Sequence, residues 1–316
     1  MVHTDEYAVR LSGISKSFGP VSVLCGITLD VRKGDVLALM GENGAGKSTL
    51  MRILAGLLPA DQGELLRQGQ TAESEQLKKQ VAMIHQETQL VPELSVAHNI
   101  FLGREPRTGV WLHTKRMNQQ AAVLLERLGA DIAPTRLIKN LRVAEKQLVE
   151  IAKALDKQAE VLILDEPTSA LSEQECQRLF ERLRQLRAEG VAIVYISHKM
   201  EEVFALADKI SVLRDGLLVA TKPTTAWDEA SLISAMVGRA PGELFPPSER
   251  AELSQVALSV HNLRRPGILG PISFDLYQGE VLGVAGLMGS GRTELLRALY
   301  GLDAAQVERL MLGGEV

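Results

Sequence analysis

The feature that most constrains the fold is a glycine-rich segment, residues 41–48, with the sequence G-E-N-G-A-G-K-S. It follows the apolar run Val36–Met40 and precedes leucine and isoleucine residues at positions 50, 53, 54 and 57, a helical spacing. A strand, a glycine-rich turn and a helix in this order form a loop whose backbone N–H groups curl around phosphate oxygens. Chance would produce these four fixed positions in roughly one chain in a hundred of this length, even before the flanking elements are required. The segment therefore predicts a phosphate-binding loop.

Two more apolar runs, residues 161–164 and 192–196, also end in polar residues. Continuous apolar runs are typical of parallel strands that are covered on both faces. Ser172 and Glu175 form a capping box that predicts a helix through Glu189. This alternation predicts an α/β fold. Between residues of about 88 and 155 the pattern predicts helices without strands, for example 119–128 and 145–155, and hence a helical subdomain inserted in the α/β core.

The composition excludes several classes of protein. The 316 residues carry a formal net charge of −4, and 46% of them are hydrophobic, so the chain is not disordered. A duplex-DNA binder needs a basic face, so no nucleic-acid partner is expected. Val281 to Met288 is about the longest apolar run, too short for a membrane helix, and the first residues resemble no secretory signal. Cys25 and Cys176 are isolated. We expect a soluble cytoplasmic protein.

An internal repeat follows a proline-rich linker at residues 240–252. At a constant offset of 245, residues 28–57 match residues 273–302 with 12 identities in 30 positions. The first domain is therefore predicted at 1–239, and a second copy begins at 253–316. The first copy needs 157 residues from Gly41 to His198, and only 30 follow Gly286, so the second copy is expected to be truncated.

Five polar side chains, in the glycine-rich loop or after the predicted strands, indicate phosphate chemistry. Lys47 would neutralise the β- and γ-phosphates of a nucleotide, and the Ser48 hydroxyl and Asp165 would ligate Mg²⁺. Glu166 would orient the attacking water or accept its proton. The alternative for the acidic pair is a strand that ends in solvated carboxylates. His198 follows the third strand, where a γ-phosphate contact is expected, although a lone histidine is more often structural.

In this order, the motifs resemble those of ATP-binding cassette ATPases of the P-loop NTPase fold, and more closely the two-cassette ATPase subunits of bacterial carbohydrate importers. The resemblance covers nearly the whole chain. Besides the phosphate-binding loop, it rests on L-I-L-D-E-P-T-S-A-L (162–171), H-Q-E (85–87), N-I-F-L-G-R-E (99–105), Q-L-V-E-I-A-K-A-L (147–155), Y-I-S-H-K-M-E-E-V (195–203) and G-L-M-G-S-G-R-T-E-L (286–295).

The resemblance implies roles for individual residues. Phe18 matches the aromatic residue that stacks on adenine, the alternative being a core phenylalanine. Gln86 matches the residue that contacts Mg²⁺ and the attacking water, the alternative being an ordinary loop amide. The loop residues that would bind ATP are Gly41, Glu42, Asn43, Gly44, Ala45, Gly46, Lys47, Ser48 and Thr49. The segment at the position of the family's signature motif, here called the signature segment, consists of Leu141, Arg142, Val143, Ala144 and Glu145.

The chain departs from the family pattern at two sites. In the signature segment, Arg142 replaces a serine that caps the γ-phosphate of the opposite cassette, and Val143 and Ala144 replace glycines. In the second copy, Arg292 replaces the loop lysine, and its planar guanidinium does not substitute simply for an ammonium group. The second copy is therefore expected to be a degenerate nucleotide site. Because the second signature is missing, the chain alone is expected to bind Mg-ATP and to hydrolyse it slowly, if at all.

The resemblance implies a sugar importer's energy-coupling subunit, peripheral on the cytoplasmic face of the inner membrane. Its implied partners are membrane permease subunits, a second cassette and, indirectly, a periplasmic sugar-binding protein. Two alternatives stay open. One is a soluble cassette ATPase of translation or DNA repair, which the scattered cysteines and the short linker disfavour. The other is a non-hydrolysing ATP-responsive regulatory or assembly protein, which the altered signature segment keeps open.

Overall fold

The computed structural model describes residues 7–67, 69–85, 89–109, 111–238, 255–286 and 289–313. The chain divides into two compact units, Met1–Leu244 and Phe245–Val316. The predicted linker at 240–252 lies outside the described residues. None of the described helices is long and apolar enough to cross a membrane.

The first unit contains twelve described strands and eight described α-helices. Its strands are β1 Tyr7–Phe18, β2 Val21–Arg32, β3 Val36–Met40, β4 Gln62–Arg67, β5 Gln70–Thr71, β6 Val81–Ile84, β7 Arg107–Thr108, β8 Trp111–Leu112, β9 Val161–Asp165, β10 Ala192–Ile196, β11 Lys209–Arg214 and β12 Leu217–Pro223. Its helices are α1 Lys47–Leu54, α2 Ser74–Gln80, α3 Val96–Ile100, α4 Thr114–Arg127, α5 Val143–Asp156, α6 Glu173–Ala188, α7 Met200–Leu206 and α8 Glu229–Val237.

A six-stranded sheet forms the centre of this unit, in the order β12-β11-β3-β10-β9-β6. All neighbours pair in parallel except β12, which is antiparallel to β11. The three apolar runs of the sequence are the strands β3, β9 and β10, so the predicted parallel α/β sheet is confirmed. A second, antiparallel sheet has the order β2-β1-β4-β5.

The side chains of β3 explain why its sequence is apolar throughout. Val36, Ala38 and Met40 belong to one buried cluster, which includes residues of α5, α6 and α7. Leu37 and Leu39 belong to another, which includes α1 and the antiparallel sheet. Because successive strand side chains point to opposite faces and both faces are covered, every position of the strand must be apolar.

Two sequence-based predictions in this unit are wrong in detail. Helix α1 ends at Leu54, and Leu57, which was predicted on its apolar face, is 50% exposed. A turn of the Schellman type, in which Leu57 N–H donates to Arg52 O at 2.8 Å, ends the helix before Leu57. Within residues 88–155, predicted to contain only helices, β7 and β8 form a two-stranded antiparallel ribbon. These strands have two residues each, too short to leave an alternating pattern in the sequence.

The capping box at the start of α6 is confirmed. The Ser172 hydroxyl accepts a hydrogen bond from Glu175 N–H at 3.4 Å, and the Glu175 carboxylate accepts one from Ser172 N–H at 2.9 Å. The helix begins at Glu173 and ends at Ala188. This start fixes where the chain leaves the acidic pair at the end of β9.

The second unit repeats local elements of the first. It contains the described strands β13 Val256–Arg265, β14 Leu269–Tyr277 and β15 Arg309–Leu312 and the described helix α9 Arg292–Leu299. At the 245-residue offset, α9 coincides with α1, and the residue before each helix is a glycine with positive φ. Residues 281–285, which correspond to β3, form no strand, and Val281 is 96% exposed.

Candidate functional site

The glycine-rich loop connects β3 to α1 and requires glycine at two positions. A Cβ atom on Gly41 would lie 2.2 Å from Leu213 O, and one on Gly46 would lie 2.9 Å from Val23 O. Gly46 also has φ of +102°, which side-chain-bearing residues rarely adopt. Gly46 precedes the first residue of α1, and no side chain caps this helix. The loop therefore presents the start of a helix, with its unpaired N–H donors, at the end of β3.

Lys47 is the first residue of α1, and its ammonium group is directed back over the loop. Its Nζ donates hydrogen bonds to Gly41 O at 2.7 Å and to Glu42 O at 2.8 Å. Partial burial lowers the pKa of Lys47 below its usual value, although the nearby Glu166, Asp165 and Glu42 carboxylates oppose this change. The loop thus holds a cation at its centre with acidic groups nearby.

The carboxyl ends of β3, β10 and β9 lie side by side. Ile196 at the end of β10 pairs with Leu39 of β3 on one side and with Asp165 of β9 on the other. The residues that follow these strands therefore meet at one edge of the sheet, where ligands bind in open α/β folds. Burial raises the pKa of Asp165, and the neighbouring Glu166 carboxylate raises it further, whereas His85 and Lys47 lower it. Asp165 is thus a partly buried carboxyl group within the field of Lys47.

Glu166 and His198 are brought together at this edge. Glu166 Oε1 and His198 Nδ1 are 3.1 Å apart. Glu166 has φ of +47°, a conformation that is uncommon for a residue with a side chain, and its N–H donates to Ile196 O at 2.9 Å. A non-glycine residue with positive φ at a strand end is frequently functional. The carboxylate is therefore held against an exposed imidazole beside the loop.

Two other sequence-predicted residues are exposed. Phe18, at the end of β1, is 50% exposed, so the alternative of a core phenylalanine is wrong. The Lys16 ammonium lies 5.6 Å from the centroid of its ring. Ser48 is also exposed, on the first turn of α1. Both side chains are accessible to solvent.

Comparison with known proteins shows which family part of the chain resembles. The sequence profile described as "ABC transporter" matches residues 24–169, which include the loop and the acidic pair. The chain is 47% identical over 312 residues to the ribose import ATP-binding protein RbsA of Chromobacterium violaceum and covers 62% of it. It is 46% identical over 313 residues to the ribose import ATP-binding protein RbsA 3 of Rubrobacter xylanophilus and covers 63% of it. Residues 24–169 thus resemble the ABC transporter family.

These matches involve 97% and 98% of this chain but only slightly over three-fifths of the length of each relative.

The fold of the chain resembles that of solved cassettes. One is the structure of cbiO1 from Clostridium perfringens, part of the ABC transporter complex cbiONQ, with a TM-score of 0.64 and 23% sequence identity. The alignment covers 74% of this chain and 95% of the cbiO1 chain. Another is a nucleotide-free ATP-binding cassette from an ABC transporter, with a TM-score of 0.63 and 24% sequence identity. The alignment covers 73% of this chain and 95% of that cassette. The fold is that of one P-loop NTPase cassette.

The signature segment lies at the start of α5. Leu141 is buried, Arg142 and Val143 are exposed, and Val143 is the first residue of the helix. The Glu145 carboxylate accepts hydrogen bonds from Arg142 N–H at 2.7 Å and from the Arg136 guanidinium at 2.8 Å. Arg142 therefore lies at the helix N-terminus with its side chain exposed to solvent.

One predicted site residue, Gln86, lies outside the described residues, as do residues 287 and 288 of the second glycine-rich loop. Sequence analysis also overlooked a buried residue next to the site, Glu202 on α7, which bonds to groups beside Glu166 and His198. Its position four residues after His198 was the only available signal, and that signal does not reveal which side chains it contacts.

Proposed function

We propose that this chain is an ATP-binding subunit of a bacterial ABC importer, which couples ATP binding and hydrolysis to carbohydrate uptake through a membrane permease. The main observation that supports ATPase activity is that Lys47, Asp165 and the Glu166–His198 pair lie together at one edge of the sheet. The names of the relatives, which describe ribose import ATP-binding proteins, support the carbohydrate part.

ATP would bind with its phosphates over the glycine-rich loop. The Lys47 ammonium would exchange its bonds to Gly41 O and Glu42 O for bonds to phosphate oxygens, which are stronger acceptors. The unpaired N–H donors at the start of α1 would bind further phosphate oxygens. Phe18 would stack on the adenine. The loop and the strand end together account for the binding of a triphosphate.

The donor set at this edge also suits Mg²⁺, which prefers hydroxyl and carboxylate oxygens and retains several waters. Ser48 and Asp165 supply such oxygens, and Gln86 would supply a third. A bound Mg²⁺ would screen the negative charge of the β- and γ-phosphates.

Hydrolysis would use the Glu166–His198 pair. Glu166 would accept a proton from the attacking water at Oε1 or Oε2, or orient that water, since a positioned carboxylate can act as a general base. The His198 imidazole, 3.1 Å from Glu166 Oε1, would fix that carboxylate through Nδ1–H and, with both ring nitrogens protonated, would donate Nε2–H to the γ-phosphate. Both groups have to be held in place for the water to be aligned with the phosphorus atom.

A subunit of such an importer would have several protein partners. These are the membrane permease subunits, a second cassette and, indirectly, a periplasmic sugar-binding protein. The subunit would lie on the cytoplasmic face of the inner membrane, bound to the permease. ATP binding would close a pair of cassettes and drive the rearrangement of the permease, and hydrolysis would reset it.

The test is calorimetric titration of the purified chain with ATP, ADP and AMP in the presence of Mg²⁺, together with release of [γ-³²P]phosphate. We expect ATP and ADP to bind and AMP to bind at least about tenfold more weakly, because the loop binds the β-phosphate. Equal affinity for ATP and AMP, or no binding of either, would contradict the proposal.

Phe18 gives a separate prediction about the base. Phe18→Ala is expected to weaken ATP binding about 5- to 150-fold, because stacking on an aromatic ring contributes about 1 to 3 kcal/mol per base. Phe18→Trp, which retains a stacking surface, is the matched control and is expected to remain within about threefold of the wild type. Titration with fluorescent ATP would measure both. Loss of affinity in the tryptophan variant as well would mean that the ring does not stack on the base.

A further inference from the structure

A buried carboxylate bonds to residues close in sequence to both members of the Glu166–His198 pair. Glu202, on α7, is only 8% exposed and accepts hydrogen bonds from four side chains. The donors are Thr168 Oγ1 at 2.7 Å, Tyr195 OH at 2.7 Å, Ser197 Oγ at 3.1 Å and Lys199 Nζ at 3.0 Å. This group is the most highly bonded buried carboxylate in the part of the chain that the structure describes.

Two of these donors belong to the loops that carry the reactive pair. Thr168 is two residues after Glu166, and Ser197 immediately precedes His198. Thr168 and Ser197 themselves are buried. One carboxylate therefore joins the segment after β9, which contains Glu166, to the segment after β10, which contains His198.

The charge of Glu202 matters for this connection. Burial would raise the pKa of Glu202, but the hydrogen bonds from Thr168, Tyr195 and Lys199 outweigh it and hold the pKa below its usual value. Glu202 is thus an anion, and hydrogen bonds to an anion are shorter and about twice as strong as bonds between neutral groups. An ionised carboxylate accepts every one of these bonds, whereas an amide would offer a single oxygen acceptor to the same donors.

We infer that Glu202 is a positioning residue. By fixing Thr168 and Ser197, it holds the Glu166 and His198 side chains at fixed positions relative to each other. The inference rests on the proposed ATPase function. Glu202 acts through the two hydroxyl groups and not on the nucleotide. Removing its charge frees the two segments to move independently, and a misplacement of about 1 Å in a catalytic group is enough to lower a rate about 100-fold.

The matched pair of variants is Glu202→Gln and Glu201→Gln. Both make the same chemical change on the same helix, but Glu201 is exposed. A second route is the double variant Thr168→Val/Ser197→Ala, which leaves the carboxylate in place and removes its bonds to both segments. This double variant keeps the test valid if Glu202→Gln does not fold, as judged by its thermal unfolding.

The first readout is steady-state ATP hydrolysis with ATP binding measured separately. We expect Glu202→Gln and the double variant to lower kcat by about 10- to 100-fold, with the Kd for ATP within about twofold of the wild type. Glu201→Gln is expected to match the wild type. Adding Glu202→Gln to the double variant is expected to cause little further loss, because the shared bonds are already absent. Unchanged kcat, or equal effects of Glu201→Gln and Glu202→Gln, would overturn the inference.

The second readout does not depend on turnover. In ¹⁵N-histidine NMR spectra, the ring signals of His198, assigned with His198→Gln, are expected to shift or split in Glu202→Gln and in the double variant but not in Glu201→Gln. If the wild type neither binds nor hydrolyses ATP, the proposed function fails, and these spectra still decide whether Glu202 positions His198. Unchanged His198 signals in both test variants would refute the positioning role.

Discussion

Lys47→Ala is expected to weaken ATP binding about 30-fold or more, since truncating one member of a buried charged pair costs about 2 to 5 kcal/mol. The Lys47 ammonium is bonded to Gly41 O and Glu42 O and is held over the loop before any nucleotide arrives. Little side-chain ordering is therefore required when the phosphates bind, and most of its interaction energy contributes to affinity.

Arg52→Ala is the matched control for this change. Arg52 lies in the last turn of the same helix, and its substitution also removes one positive charge. Its side chain is exposed, so we expect ATP affinity within about twofold of the wild type, because surface charges are screened by salt. Calorimetric titration of both variants with Mg-ATP would measure the difference. Equal losses in the two variants would mean that Lys47 acts only through net charge and not through direct phosphate contact.

The parts of the fold that were predicted correctly are those with local signals. Strand β3 was predictable because burial on both faces requires five consecutive apolar residues. The start of α6 was predictable because Ser172 and Glu175 satisfy each other's backbone N–H groups within one turn. In both cases the residues that decide the structure lie within a few positions of one another.

The parts that were missed depend on contacts between distant residues. Thr168 and Glu202 are separated by 34 positions, and nothing in either segment alone indicates that they bond. Residues 281–285 have an apolar sequence similar to that of β3 yet form no strand, so an apolar run alone does not determine the element.

The arrangement of Lys47 and Glu166 separates binding from hydrolysis. Lys47 lies on the loop after β3, whereas Glu166 lies at the end of β9, two strands away in the sheet. Glu166 is joined to His198 and to the backbone of β10. Substitutions at these two residues are therefore expected to affect different steps.

Glu166→Gln is expected to lower the rate of ATP hydrolysis about 100- to 1,000-fold, because general-base catalysis contributes about 10²- to 10⁴-fold. The amide retains the size of the side chain but cannot accept the proton of the attacking water. ATP affinity is expected to be equal to or tighter than that of the wild type, because a negative charge next to the phosphates is removed. Single-turnover assays with protein in excess over ATP would measure even a slow wild-type rate.

Glu173→Gln, seven residues further along and exposed on the first turn of α6, is the matched control and is expected to hydrolyse ATP at the wild-type rate. If Glu166→Gln also retained that rate, the proton would have to go to another group at this edge, and His198 is the nearest candidate, at 3.1 Å from Glu166. His198→Ala would then be expected to lose the activity that Glu166→Gln kept. A large loss in Glu166→Gln with intact ATP binding would instead assign the base to the carboxylate, since only the proton-accepting oxygen differs between the two proteins.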